Sequence, residues 1–472
     1  MRLAGTHALA QRDGMRPVLF HLLVILLLLP GSALAQETAP ETPFPMPRRS
    51  LRWINPGENG MIAARGSYTN ERGQLHVASR AGAVDIEGHP FFVPLGASAR
   101  ACVSCHQPQD AMGLSLDSIR RQWLVTGGQD PIFETSDGAD CDDRPAGVVA
   151  SHSLLLDRGL FRVALPWPPR DATGRAVAAE FTLRVLRDPT RCNGPSRLGP
   201  KAKDPRVSVY RRPRPSANLT YTAQSTDDAG VTRNLMADAR APSLAAQAAD
   251  AAATHMAVRG ALPEAVLQQI VDFESALFVA QGVDRREGRL AGEASPVPAL
   301  LGVDAAMAGG LSTVQPRASA QPQSAIARGH DLFHFRRIRP EGSCASCHDD
   351  ALSGLHRAGD GVDLGLSNVA NAAQADPRLP LFRIECRAGT AHPTRGRVIL
   401  TQDPGRALVT GRCADVGGIV VPPLRGLAAR APYFSSGSAA SLEDVVAWHD
   451  RHFAMGLSAQ ERADLVAYLG AL

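Results

Sequence analysis

Apolar residues recur at helical spacing in two segments that match each other. Residues 262–277 read LPEAVLQQIVDFESAL, and residues 457–472 read LSAQERADLVAYLGAL. Each segment is predicted to form an amphipathic helix that packs one face inward. The match indicates a chain of two related halves, the alternative being two ordinary helices. An ungapped alignment of the two segments pairs Ile270 with Leu465, Val271 with Val466, Phe273 with Tyr468, and Leu277 with Leu472.

The first half also contains a stretch with a different pattern. From about 161 to 212 the runs FRVALPW, FTLRVLRD and VSVYRR are rich in β-branched and aromatic residues and predict short strands. Residues 288–323 are rich in Ala, Gly, Pro and Ser and have little periodicity, which is typical of a linker. We therefore expect a mainly α-helical protein with two helical domains, the first of which carries a small β insertion.

The N-terminus has the organisation of an export signal. A basic segment at 15–17 precedes an apolar run at 18–29, and Ala33-Leu34-Ala35 follows as a small-x-small cleavage pattern. We expect residues 1–35 to be a signal peptide that is cleaved after Ala35, so that the mature protein reaches the periplasm. The apolar run is short for a membrane span, and no later segment is long and apolar enough to cross a bilayer.

One five-residue pattern occurs twice and carries the chemistry. In a C-x-x-C-H run the two thiols can bond covalently to one haem, and the histidine can reach its iron as the proximal ligand. One such run is expected by chance about 0.004 times in a chain of this length and composition. A zinc half-site and a redox C-x-x-C pair are the alternatives. The two copies are Cys102-Val103-Ser104-Cys105-His106 and Cys344-Ala345-Ser346-Cys347-His348.

These motifs predict two covalently bound haem c groups and the order of the domains. Each motif lies upstream of one of the two matching helices, which is typical of two cytochrome c-type helical domains. The expected organisation is a signal peptide at 1–35, an N-terminal extension at 36–88, an N-terminal cytochrome c domain at 89–287 with a β insertion at about 161–212, a linker at 288–323, and a C-terminal cytochrome c domain at 324–472.

Four cysteines lie outside the two motifs, and an even remainder in an oxidising compartment suggests two disulfides. Three pairings are possible, and pairing within each half is the simplest. Free buried thiols are the alternative. The simplest pairing joins Cys141 to Cys192 and Cys386 to Cys413.

Two longer stretches resemble the bacterial di-haem cytochrome c peroxidase and MauG superfamily. VPPLRGLAARAPYFSSGSAASLEDVVAWHDRHF (Val421–Phe453) is very similar to its P-x-L-R-N … A-P-Y-F-H-x-G segment, and ADARAPSLAAQA (Ala237–Ala248) resembles its W-D-G-R-x-x-S-L-x-x-Q-A motif. The patterns G-x-x-x-R-x-C-x-x-C-H (Gly96–His106) and D-P-x-F (Asp130–Phe133) resemble an exported branch of that superfamily.

The resemblance implies a division of work between two haems. The N-terminal haem would meet peroxide, and the C-terminal haem would supply or store an electron. The sixth ligand of the C-terminal haem, Met or Tyr in the superfamily, corresponds to His449, which shares a helical face with Leu442, Val446 and Phe453. Met455 and His452 are the other candidate ligands, and a core histidine is the structural alternative.

On the distal side of the N-terminal haem the superfamily has Gln, Pro and Glu. The Gln corresponds to Gln247, whereas Ala251 and Ala257 occupy the other two positions. His255 lies close by and has three interpretations: a general acid–base for O–O cleavage, an iron ligand, or a surface histidine. No histidine occurs between His106 and His152 to act as a detachable ligand.

Other superfamily positions are altered or weakly marked. The tryptophan thought to connect the two haems corresponds to Ala237, which argues against MauG-type sharing of oxidising equivalents. Arg240 and Arg425 are candidates for pairing with haem propionates, or are ordinary surface arginines. The superfamily often holds calcium between its domains, but no clear carboxylate cluster supports a calcium site here.

The sequence therefore favours a periplasmic di-haem oxidoreductase. It would reduce hydrogen peroxide at the N-terminal haem, with electrons entering at the C-terminal haem from a small redox protein such as a cytochrome c or a cupredoxin. A di-haem electron-transfer protein with two six-coordinate irons is the alternative, and MauG-like oxidation of a protein or organic substrate is a third. The 50 basic and 46 acidic residues are interspersed, so nothing indicates a nucleic-acid partner.

Overall fold

The computed structural model describes most of the chain from Arg52 onward. The signal-peptide prediction lies outside the described residues. Within the described part, no helix combines the length and the apolar character needed to span a membrane. The described ranges are 52–171, 174–194, 199–224, 234–292, 295–297, 301–308, 323–338, 342–349 and 361–472.

Helices and short strands alternate along these ranges. The α-helices are α1 (Leu116–Thr126), α2 (Ser153–Arg158), α3 (Leu219–Gln224), α4 (Leu244–His255), α5 (Glu264–Ala276), α6 (Val303–Met307), α7 (Ala325–Phe335), α8 (Cys344–Cys347), α9 (Ala407–Thr410), α10 (Leu442–His452) and α11 (Ala459–Ala471). The strands are β1 (Met61–Ile62), β2 (Arg65–Asn70), β3 (Gly73–Ser79), β4 (Val84–Asp85), β5 (Phe161–Pro166), β6 (Phe181–Arg187), β7 (Arg206–Arg211), β8 (Leu277–Asp284), β9 (Gly288–Arg289), β10 (Asn368–Val369), β11 (Leu381–Cys386) and β12 (Val398–Thr401).

The expectation of a mainly α-helical protein is wrong. Helices account for 31% and strands for 20% of the structure, and the strands form four sheets. β2 reads RGSYTN, and its polar composition gives no strand signal before its pairing with β3 is known. β8 begins directly where α5 ends, so its apolar start reads as a continuation of the helix. The strand content was underestimated because short strands form only through pairing with other strands, which the composition of each segment does not reveal.

The strands form two four-stranded sheets and two ribbons, and all pairs of these strands are antiparallel. One sheet has the order β2-β3-β8-β9, and the other has the order β10-β12-β11-β6. The strand runs of the expected β insertion do not stay together. β5 pairs with β7, whereas β6 pairs with β11, with Leu183 opposite Ile384. A strand of the first half thus completes a sheet of the second half.

The two matching segments both form helices, α5 and α11, and carry equivalent aromatic contacts. Phe273 of α5 packs against Phe91 and Phe92, with ring centroids 4.6 and 5.1 Å apart. Tyr468 of α11, the aligned residue, packs against Phe333 of α7 at 5.3 Å. Each helix therefore closes an apolar core downstream of its own C-x-x-C-H motif.

The structure pairs the remaining cysteines within each half. Cys141 bonds to Cys192, with Cα atoms 5.4 Å apart, and Cys386 bonds to Cys413, with Cα atoms 5.8 Å apart. These are the simplest of the three possible pairings. The four motif cysteines are left unpaired.

Gly329 lets α7 and α11 approach closely. A Cβ atom at Gly329 would overlap the backbone carbonyl oxygen of Asp464 and the Cβ of Tyr468. Helix propensity alone predicts that Gly329→Ala stabilises the protein by about 1 kcal/mol. We expect the substitution instead to lower the free energy of unfolding by about 1–3 kcal/mol, because the added methyl group would overlap backbone atoms. Chemical denaturation measures it, and unchanged or increased stability would contradict this packing.

Candidate functional site

The two C-x-x-C-H motifs share a local backbone conformation. Each begins a short helical turn, and its second intervening residue is a serine that accepts a hydrogen bond from the residue before the first cysteine. Ala101 N donates to Ser104 Oγ at 3.2 Å, and Ser343 N donates to Ser346 Oγ at 2.9 Å. The turn brings both thiols and the following histidine to one side, as covalent attachment to one haem requires.

The alternatives to haem attachment find little support in the site chemistry. Burial raises the pKa of Cys105 to about 12 and that of Cys344 to about 11, and it also raises the pKa of Cys102 and Cys347. A reactive redox pair needs a lowered thiol pKa instead. Among the described residues, neither motif belongs to a group of three potential metal-binding side chains within ligand distance. The thiols therefore suit thioether attachment better than thiolate chemistry.

His106 is prepared to be a metal ligand. Its Nδ1 lies 3.0 Å from the carbonyl oxygen of Met112, to which it donates, so the ligand lone pair is on Nε2. Burial lowers the pKa of His106 to about 4, which keeps the imidazole neutral at physiological pH. His106 and Cys105 line a cavity that is called the N-terminal cavity below.

The N-terminal cavity brings the predicted distal residues together with the first motif. Gln247 and His255, both on α4, line it together with Cys105 and His106. Among the described residues the buried Oε1 of Gln247 has no hydrogen-bond partner. Ala251, at the superfamily's proline position, also lines the cavity. An unpartnered acceptor beside the motif indicates that Gln247 faces a bound group.

His255 is held by a buried ion pair that sequence reasoning missed. Its Nδ1 is hydrogen-bonded to Asp137, and the other carboxylate oxygen of Asp137 pairs with Arg100. Burial would raise the pKa of Asp137, but its ion pair with Arg100 and its hydrogen bond with His255 outweigh burial and lower the pKa. With Nδ1–H donated to Asp137, the lone pair of His255 is on Nε2. These three residues are called the His255 chain below.

The contacts of the His255 chain account for two sequence patterns that resemble the exported branch, G-x-x-x-R-x-C-x-x-C-H and D-P-x-F. The guanidinium of Arg100, two residues before the first motif, donates to the carbonyl oxygens of the D-P-x-F loop; the distances are 2.7 Å to Pro131 and 2.8 Å to Ile132. A side chain at Gly96 would overlap the backbone at Met256, directly after His255. Gly96 therefore allows the segment before the motif to lie against the end of α4.

Glu274 is a further cavity residue that the sequence analysis did not single out. It lies on α5, lines the N-terminal cavity and has no partner for Oε2 within the described chain. Burial raises its pKa to about 8, so the carboxyl group is mostly protonated at neutral pH. The sequence already distinguished Glu274, because the residue of α11 that aligns with it is the apolar Leu469.

The second motif borders a larger and more apolar cavity, which is called the C-terminal cavity below. His348, His449 and Met455 line it, together with Cys344 and Cys347. His449 Nδ1 donates to the carbonyl oxygen of Val445 at 2.8 Å, so the ligand lone pair is on Nε2. Burial lowers the pKa of His449 and favours the neutral imidazole.

The other candidate residues have more varied positions. His452 stacks on Trp448, with ring centroids 4.5 Å apart. Arg240 lines the N-terminal cavity, but its guanidinium pairs with Asp238 and with Asp250, each at 2.9 Å. Arg425 is buried, with 4% of its surface exposed, and is not among the described residues that line either cavity.

No calcium ligands are assigned. Within the described ranges, the one cluster of three potential metal-binding side chains consists of Cys141, Asp142 and Cys192, and its two cysteines bond to each other.

Three arginines at the cavities were missed by the sequence analysis. Arg212 and Arg214 line both cavities, and Arg430 lines the C-terminal cavity. Burial, with the charge of Arg430, lowers the pKa of Arg212 and Arg214 to about 10, and burial lowers that of Arg430 to about 10. The sequence feature that could have identified Arg212 and Arg214 is the run R-R-P-R-P, which begins with the last residue of β7.

The two motifs, the neutral imidazole of His106 and the adjoining cavities are features of a haem c-binding protein. The chain is 31% identical over 161 residues to the cytochrome-c peroxidase IdrP1 of Pseudomonas sp. (strain SCT), and 29% identical over 158 residues to IdrP1 of Denitromonas iodatirespirans. Each alignment covers 31% of this chain and 39% of the relative. The resemblance to the di-haem cytochrome c peroxidase and MauG superfamily is thereby confirmed, while the alignments span less than half of these relatives' length. No family model matches the chain.

Two solved structures show weak similarity. A MauG-like protein associated with microbial copper homeostasis is 18% identical with a TM-score of 0.30, covering 57% of this chain and 76% of that chain. Hydrazine synthase of Kuenenia stuttgartiensis, pressurised with xenon, is 16% identical with a TM-score of 0.33, covering 77% of this chain and 92% of that one.

Covalent attachment at each motif can be tested separately. We expect Cys102→Ala/Cys105→Ala to lose one covalently bound haem and Cys344→Ala/Cys347→Ala to lose the other, because each thiol pair serves its own cavity. Pyridine haemochrome assay and intact-protein mass spectrometry measure the haem content. The control Cys141→Ala/Cys192→Ala should keep two haems per chain. A motif variant that keeps two covalent haems would contradict the assignment.

Proposed function

We propose that the protein is a periplasmic di-haem c-type oxidoreductase that reduces hydrogen peroxide in the N-terminal cavity, with electrons entering through the C-terminal haem from a small redox protein. The observation that carries the proposal is the His255 chain, which fixes a histidine with its lone pair on Nε2 in the cavity beside the first motif. The cytochrome-c peroxidase relatives support the reaction class.

The residues of the N-terminal cavity have distinct roles in this proposal. Haem, when bound through the first motif, supplies the iron centre and the electrons for O–O cleavage. His255 takes a proton from peroxide at Nε2 and returns it to the leaving oxygen. Asp137 holds the imidazole in the required tautomer and stabilises its cationic form, since its carboxylate faces Nδ1. Gln247 contributes a hydrogen-bonding side chain to the bound peroxide.

The C-terminal cavity is suited to electron transfer rather than to substrate binding. His348 and His449 both line it, so these two residues would be the candidate ligands of an iron held there. Two imidazole ligands give a lower reduction potential than one imidazole and one methionine. The remaining lining includes Leu442, Val446 and Leu469, which are apolar and exclude water. The arrangement favours storage and delivery of one electron.

Pure electron transfer is the second candidate function. His255 and His106 line the same cavity, so His255 could bind the iron instead of serving peroxide. Ala251 and Ala257 also replace two superfamily residues of the distal site. MauG-like oxidation of a protein or organic substrate is a weaker candidate, because Ala237 lines both cavities where the superfamily has tryptophan.

Peroxide turnover tests the role of the His255 chain. We expect His255→Ala to lower kcat/KM for hydrogen peroxide by about 10²–10⁴-fold, the usual contribution of general acid–base catalysis. Asp137→Asn should cause a smaller loss, because the amide oxygen can still accept from Nδ1 but carries no charge. Stopped-flow measurements on variants with full haem content check both. His76→Ala, on β3, is the control; wild-type turnover in His255→Ala would contradict the proposal.

Spectra of the holoprotein separate the two candidate functions. The proposed peroxidase should show a high-spin ferric signal by EPR, either fully oxidised or half-reduced, because peroxide needs an available iron position. Two low-spin haems in both states would support the electron-transfer alternative. His449→Ala should convert the C-terminal haem from a low-spin histidine spectrum to a high-spin or methionine-ligated one, since Met455 lines the same cavity. An unchanged spectrum would exclude His449 as a ligand.

A further inference from the structure

One short segment separates the two cavities. Arg212-Pro213-Arg214-Pro215 follows β7, and all four residues line both the N-terminal and the C-terminal cavity. Ala237 is also common to both linings. Residues 212–215 are called the shared wall below. Groups bound in the two cavities would therefore lie next to the same segment.

The cations of the shared wall have no carboxylate partner in the described chain. Arg214 donates to the carbonyl oxygens of Val420 and Val421 at 2.9 and 3.2 Å. The guanidinium of Arg212 likewise donates only to backbone carbonyl oxygens, among them that of Arg430 at 3.1 Å. The preceding Arg211 differs, because it pairs with two buried carboxylates.

Arg430 adds a third cation on the C-terminal side. It lines the C-terminal cavity, donates to the carbonyl oxygen of Pro423 and leaves its buried Nε without a partner in the described part of the chain. The positive charge of Arg430 repels the positive charges of Arg212 and Arg214. Asp110 and Asp238 favour the charged forms of Arg212 and Arg214 through space, but within the described residues no carboxylate forms an ion-pair contact with any of the three arginines. Three neighbouring buried cations without such a contact are costly inside a protein, which favours anions in the cavities.

The anions that fit are carboxylates belonging to the groups in the cavities. Each haem carries two propionates, and a guanidinium matches a carboxylate in charge and in hydrogen-bond geometry. Arg240 is less suited to this role, since Asp238 and Asp250 already neutralise it.

We propose that Arg212 and Arg214 bind propionates of both haems, so that one pair of cations sets the reduction potentials of the two irons together. The inference rests on the proposed function only in requiring a haem in each cavity. Arg430 then acts mainly on the C-terminal haem. The coupling through the wall is electrostatic, because proline, arginine and the nearby Ala237 place no aromatic ring there.

Spectroelectrochemical titration of the purified holoprotein tests the shared wall. A cation close to haem favours the reduced iron, so Arg214→Gln and Arg212→Gln should each lower the midpoint potentials of both haems. Arg430→Gln should lower the C-terminal potential more than the N-terminal one. Arg214→Lys keeps the charge and should remain near the wild-type potentials. Arg383→Gln, on β11 away from the cavities, is the matched control and should change neither.

Haem content separates the possible failures. If wild-type protein binds fewer than two haems, the proposed function and the shared wall are both wrong, because the shared wall requires a haem in each cavity. If two haems are bound and Arg212→Gln and Arg214→Gln each shift only one potential, or neither, the shared wall is wrong even if peroxide turnover is normal. Should the Gln variants lose haem during maturation, Arg214→Lys decides: a large fall in both potentials despite the retained charge would overturn the electrostatic proposal.

Discussion

The buried ion pair between Arg100 and Asp137 is the interaction on which the N-terminal site depends. Arg100 is 1% exposed and connects the first C-x-x-C-H motif to the D-P-x-F loop, while Asp137 connects that loop to His255. Removal of either charge would leave the other buried and uncompensated, at a cost of several kcal/mol in stability. The pair therefore fixes three separate chain segments at once, and the position of His255 follows from it.

The two halves share a plan but differ in the polarity of their cavities. Around the first motif stand Gln247, His255 and the protonated Glu274, whereas Leu469 takes the place of Glu274 at the second. A polar cavity can hydrogen-bond a small substrate and move protons. An apolar cavity lined by two histidines would suit an iron that transfers electrons without binding a substrate, as proposed. One change of side-chain type on a repeated helix thus accompanies the proposed division of chemical roles.

Local patterns predicted the parts of the molecule that local sequence determines. The motif turns and the helical faces of α5, α10 and α11 depend on spacing within a few residues. The strand pairings could not be predicted from local spacing, because β6 pairs with β11, which lies about two hundred residues later in the chain. The contact between His255 and Asp137 spans 118 positions, which no spacing rule covers. The alignment of the two matching helices could have identified Glu274, because it places a carboxyl group on a helical face that is otherwise apolar.

The pairing of β6 with β11 bears on how such a molecule can evolve and move. A repeat of two cytochrome-like halves could in principle be cut at the middle and each half used as an exchangeable module. Here a cut would leave β11 without its edge strand and would expose an unpaired ladder. The same ladder opposes hinge opening between the halves. The distance that an electron would cross under the proposed function is accordingly fixed by the fold.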